Sequence, residues 1–215
     1  MKHLKRLIVA VLAVSSSALF GGSITVGVNN GGNGFPFDAA GTRYQEAYSS
    51  SLFSVPIAIT GIDFFRSGAT GTVGSGTYQL SLSTISGSVG SLSNVNFNSN
   101  LGANNAVFAV MALSGAAPGI LSFTGGPFSY DPSQGNLLLD MQITNPGSNG
   151  SAMFEDENGS GPPTIARYQN FGFGTVDYGL VTEFDSGAVT NTPEPGTLVL
   201  LGVGLLGIGG WRFRT

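Results

Sequence analysis

The sequence predicts a mainly β protein, an antiparallel β-sandwich of jelly-roll type, and three observations carry that prediction. Glycine supplies 34 of the 215 residues and charged residues only 9%, a balance that favours turns and strands over salt-bridged surface helices. No long window shows a helical period, whereas several stretches are continuously apolar or alternate apolar with polar residues. Clusters of Gly, Asn, Pro and Ser separate these stretches, as turns require. A closed barrel is the second arrangement such a pattern allows. A β-helix ranks third because no short repeat recurs.

The N-terminal 23 residues follow the plan of a secretory leader. Lys2, His3, Lys5 and Arg6 form a basic start, Leu7 to Val14 an apolar stretch, and Ser15, Ser16, Ser17 and Ala18 a small-residue end. Ser16 and Ala18 occupy the −3 and −1 positions of a small-x-small site, so cleavage is expected after Ala18, with a cut after Ser23 as the alternative. The apolar stretch is about half of the ~20 residues that span a bilayer, which argues against a permanent anchor.

The segment 19–191 is expected to form one domain, with strands at 23–28, 57–65, 77–85, 106–113, 119–123, 136–144, 166–173 and 179–184. The clearest runs from Asn136 to Thr144. There Leu137, Leu139, Met141 and Ile143 alternate with Leu138, Asp140, Gln142 and Thr144. Asp131-Pro132-Ser133-Gln134-Gly135 leads into it and Asn145-Pro146-Gly147-Ser148-Asn149-Gly150 leads out, both strong turn sequences. In 77–85, Tyr78, Leu80 and Leu82 alternate with Gln79, Ser81 and Ser83. The segment from Arg43 to Tyr48 fits either two helical turns or a strand of alternating aromatics.

At the C-terminus Thr192-Pro193-Glu194-Pro195-Gly196 precedes an apolar run from Leu198 to Trp211 and the ending Arg212-Phe213-Arg214-Thr215. Pro193 and Pro195 fix φ and forbid a continuous helix, so Glu194 stands on an extended segment that an enzyme can read. The run from Thr197 to Phe213 would cover about 25 Å as a helix, short of a ~30 Å hydrocarbon core, and five glycines weaken it. Arg212 and Arg214 stop transfer and hold the end on the cytoplasmic side. This order of Pro-Glu-Pro, Leu/Gly-rich span and terminal arginines resembles the PEP-CTERM sorting domain of bacterial exosortase substrates over residues 192–215, with Thr192 where Val is common. An ordinary single-span anchor is the alternative.

The resemblance implies an exosortase as processing partner, transient anchoring in the inner membrane of a Gram-negative bacterium, and release to the outer surface or a biofilm matrix. Exopolysaccharide is the further partner it suggests. It concerns delivery and says nothing of what the domain does. The role expected of the domain is structural or adhesive, with a surface carbohydrate-binding module as the alternative and a carboxylate-based glycoside hydrolase behind it.

Composition excludes several chemistries. The domain holds three arginines, Arg43, Arg66 and Arg167, against eleven acids, a balance of −8. Nucleic acid is therefore a poor partner, since phosphate binding needs clustered cations. Cysteine is absent and the one histidine is His3, so the domain has no disulfide, thiolate nucleophile, His-based triad or Cys/His zinc site. No catalytic residue, cofactor or metal is expected. The acid run Glu155-Asp156-Glu157-Asn158 reads as a solvated loop, with calcium as the sharper alternative. Asp63, Asp140, Asp177 and Glu183 are the carboxylates a glycosidase would draw on, yet no spacing marks a pair. Tyr44, Tyr48, Tyr130, Tyr168 and Tyr178 are the candidates for a sugar platform, though aromatics in such a fold more often fill the core. Asn149-Gly150-Ser151 and Asn158-Gly159-Ser160 match the glycosylation sequon, a weak signal in so Asn- and Ser-rich a chain.

Overall fold

A computed structural model describes residues 22–39, 43–159, 164–169 and 178–187. The leader with Ala18 and the tail with its expected membrane helix lie outside the described residues. Within them there are twelve strands: β1 Ser23–Val26, β2 Gly31–Asn33, β3 Arg43–Tyr48, β4 Ile57–Ser67, β5 Thr72–Ile85, β6 Ala106–Ala116, β7 Ile120–Tyr130, β8 Asn136–Thr144, β9 Met153–Asn158, β10 Ile165–Gln169, β11 Tyr178–Leu180 and β12 Thr182–Ser186. Short 3-10 turns interrupt the connections. Among the described residues there is no α-helix, and none therefore long and apolar enough to cross a membrane.

The strands form one sheet in the order β1-β12-β4-β9-β11-β10-β3-β8-β5-β6, with β7 also pairing β4 and β2 also pairing β9. The mainly β class holds, and the strands follow one open, mixed path where the sequence predicts an antiparallel jelly roll. The reason lies in β4. Its length lets Ile57–Phe65 pair with β7 and, over part of that length, with β12, while Arg66 and Ser67 continue past them to pair with β9. The two arms of the sheet are thereby joined. The sheet is also mixed, because β10 meets β11 in parallel at Ala166 and Tyr178.

Both arms share one core. Phe37 sits at its centre, with ring centroids 5.2 Å from Phe64 and 6.3 Å from Phe123 on one arm, and 5.9 Å from Tyr78 and 4.5 Å from Phe154 on the other. Leu137, Leu139, Met141 and Ile143 of β8 all enter this core, as their alternation predicts. Fully buried side chains of this size stabilise by about 1.5–3 kcal/mol each relative to exposure.

The opposite face of β8 is covered as well. Leu138 packs with Ala47, Ile85, Val89, Phe97 and Ala166 in a second, smaller apolar cluster. Residues 86–105, which connect β5 to β6, supply Val89 and Phe97 and so form a cover over the outer face of the sheet. The segment from Arg43 to Tyr48 resolves as a strand, since Tyr44 and Tyr48 enter the main core and Ala47 the second cluster. Alternation of period two places them so.

Candidate functional site

The cover segment 86–105 is held by a polar network rooted in β3 and β8. Arg43 Nε donates to Asp140 Oδ1 at 2.8 Å and its Nη2 to Oδ2 at 3.1 Å, a two-pronged pairing that suits guanidinium and carboxylate planes. Gln45 Nε2 donates to the same Asp140 Oδ1 at 2.9 Å and to the Phe97 carbonyl at 3.0 Å. Asn100 Nδ2 then donates to Gln45 Oε1 at 2.8 Å, and Arg43 Nη1 to Asn98 Oδ1 at 2.7 Å. Each polar group in this chain finds a partner. That is the condition under which a buried network fixes one conformation.

Beside the cover lies an open cleft of about 580 Å³, bounded by the end of β5, the cover and Gln134. Thr84, Ser91, Ser93, Ser99 and Asn100 contribute hydroxyls and an amide, and no charged side chain lines it. Such a lining suits a neutral polar ligand. It contains no aromatic ring on which a sugar could stack.

A second polar cluster faces inward. Glu46 of β3 lies opposite Arg167 of β10 in the ladder, on the core side between Tyr44 and Tyr48. Glu46 is 0% exposed, Asp156 of β9 1% and Arg167 9%. Tyr44 Oη donates to Glu46 Oε2 at 2.7 Å, and the Arg167 guanidinium lies 3.7 Å from the Tyr178 ring centroid. Burial pushes the Glu46 carboxyl up to about 8, against the downward pull of the Tyr44 hydroxyl and Arg167. Glu46 Oε1, Asp156 Oδ1 and Arg167 Nε and Nη1 have no hydrogen-bond partner among the described residues. The Arg167 charge acts on Glu46 through space, lowering its carboxyl against the burial that raises it. The cluster is closed to a substrate by its burial.

The sequence-predicted residues distribute as follows. Asp140, a candidate glycosidase acid, is consumed by its pairing with Arg43 and Gln45. Asp63 and Glu183 do meet, directly opposite each other on β4 and β12, and Thr25 Oγ1 donates to Glu183 at 2.6 Å. Asp185 stands on the same strand as Glu183, its carboxyl raised by burial first and then by Asp63 and Glu183. Asp177 lies outside the described residues. The platform reading loses Tyr44, Tyr48 and Tyr130, all of which are buried in the core. Tyr178 is occupied by Arg167, and the Tyr168 side chain lies outside what is described.

The acid run 155–158 is not a loop but strand β9. Alternation sends Asp156 inward and leaves Glu155 and Glu157 on the other face, where Glu157 accepts from the Val28 amide at 2.7 Å, so the three carboxylates do not converge on one ion. Sequence reasoning missed this strand because its polar side chains hide the apolar signal, of which only Phe154 remains. It also missed Glu46, whose alternation with Tyr44 and Tyr48 was the available signal. The cleft had none, since Ser and Asn mark loops and sites alike.

Pro193, Glu194, Pro195, Arg212 and Arg214 lie outside the described residues. Residues 191–214 match the PEP-CTERM protein-sorting motif. The chain therefore carries this motif, which implies an exported protein targeted by an exosortase. No curated protein and no solved structure matches the chain.

Proposed function

We propose, from the exosortase-targeted export that residues 191–214 imply, that this chain delivers a non-catalytic β domain to the surface or exopolysaccharide matrix of a Gram-negative bacterium, where it has a structural or adhesive role. In this reading residues 1–18 are removed as a signal peptide, 19–191 form the delivered domain, and 192–215 hold the protein briefly in the inner membrane until the exosortase acts at Pro193-Glu194-Pro195. Arg212 and Arg214 anchor the cytoplasmic end. The two arms of the sheet, packed on one core, serve as the layers of a sandwich-like body.

The observation that carries the proposal is the sorting motif. A non-catalytic role is supported by the fate of the acids, because Asp140 is locked in a structural pairing and Glu46 and Asp156 are sealed from solvent. The test is intact-mass spectrometry of membrane and released fractions from the native host, with and without its exosortase. Loss of the residues beyond the Pro-Glu-Pro triplet only when the enzyme is present is the expected result. An intact tail in both strains would reduce the reading to an exported protein with an ordinary anchor.

The uncharged cleft of about 580 Å³ favours carbohydrate binding as a second reading. Glycan binding that is lost in Asn100→Ala or Ser93→Trp supports it; binding that persists in both places the ligand elsewhere.

A further inference from the structure

From residue 67 to residue 130 the chain contains no Asp, Glu, Lys, Arg or His. This block holds β5, the cover, β6 and β7. Strand β6 ends the path of the sheet and pairs only with β5 among the described residues. Beyond Phe108, whose carbonyl lies against Gly125 of β7, one side of its ladder presents N–H and C=O groups that no strand pairs among the described residues.

Exposed edges in soluble proteins are normally guarded by charge, proline or shortness. Strand β7 follows that rule, since Gly125, Gly126 and Pro127 break it. Strand β1, the opposite end of the path, has only four residues. Strand β6 has neither charge nor proline and is long. Its outward Val107 and Val110 are 57% and 58% exposed. On its inward face Phe108 is buried in the main core against β7, whereas Ala109, Met111 and Leu113 pack against that core but stay only partly buried, so the rim is open along this part of the strand.

The charge distribution selects the occupant. The rest of the domain carries −8 and no lysine, so two copies repel wherever charged surfaces meet. A two-fold antiparallel contact brings a strand against itself, and a charge near its centre would face its own copy. Strand β6 is free of that conflict. We propose that β6 pairs antiparallel with β6 of a second copy, making the domain a two-fold dimer with a sheet continuous across the interface. This inference concerns the β domain alone and stands or falls independently of the sorting reading.

The absence of cysteine permits a direct test. Single cysteines are placed at Val110, Ala112 and Ser114 of the full chain, in its host, and oxidised under mild conditions. About a two-fold axis only a position near the centre meets itself at about 4.5–5.5 Å, within the range a disulfide spans. The expected result is a cross-linked dimer that peaks at one position and falls steeply two residues away, with Thr25→Cys on β1 uncross-linked. Sedimentation of the full chain in detergent should show a dimer that Val110→Lys weakens at least tenfold, with far-UV circular dichroism unchanged. Cross-linking that is absent or equal at every position, or association that Val110→Lys leaves intact, would overturn the proposal. Wild-type protein that sediments as a monomer would do the same.

Discussion

Glu46 stands between Tyr44 and Tyr48 on the core side of β3, fully buried, with its carboxyl raised to about 8 by that burial. From its ordinary value of 4.5 up to about 8, the folded chain keeps a proton there that the unfolded chain has released. Stability from this group is therefore complete below pH 4.5 and is lost as pH rises through 8. The Asp38 carboxyl, also raised by burial, acts in the same direction. Urea unfolding of the wild type should thus show a loss on the order of a few kcal/mol between pH 5 and pH 9. Glu46→Gln keeps an acceptor for the Tyr44 hydroxyl and cannot ionise, so most of that slope should vanish. A variant as pH-dependent as the wild type would mean that Glu46 is ionised in the folded state. The sequence announced an acid among aromatics but not its depth, which depends on the strand that β10 and Arg167 lay beside it.

At the scale of elements, β8 and its neighbour β5 illustrate what could be read and what could not. The inward alternation of β8 was legible because period two is a local property, and Asn136–Thr144 is the strand observed. Its turn was legible too: Gly135 takes a φ of +140°, a conformation glycine adopts at no steric cost, and Tyr130 Oη donates to the Gly135 carbonyl at 2.8 Å. The burial of Leu138 on the opposite face was not legible, because the cover 86–105 that buries it is tied down by Asn and Gln side chains from strands distant in sequence. Strand β9 hid behind its carboxylates, and β2, as Gly31-Gly32-Asn33, behind turn residues.

Two truncations separate the faces of β8. Leu139→Ala empties the main core and should lower global stability by about 2–5 kcal/mol in a denaturant titration. Phe97→Ala removes the anchor of the cover, so hydrogen exchange should quicken across 86–105 while β8 stays protected. Equal acceleration in both regions would show that cover and core open together.

For the whole molecule, delivery is written locally and the domain's purpose is not. A triplet with a span and a basic end is a contiguous signal, so the tail could be identified from residues alone and matches the sorting motif at 191–214. The strand path was not legible because strand order is a non-local property: nothing in β4 taken alone states that its last two residues will pair with β9 and join the arms.

The charge-free stretch that leaves β6 unguarded has one more consequence, for resistance to proteolysis. Proteases of the trypsin class cut after Lys or Arg, and the chain offers none between Arg66 and Arg167. The three arginines of the domain are themselves held in strands, Arg43 by Asp140, Arg66 by the Ala117 carbonyl at 2.6 Å and Arg167 by burial. Folded protein should therefore outlast prolonged trypsin digestion, and unfolded protein should yield residues 67–167 as one long peptide. Early scission at Arg43 or Arg66 would reveal that β3 or β4 frays. Wherever the domain meets peptidases, it thus gains durability from the same scarcity of charge that leaves its edge unguarded.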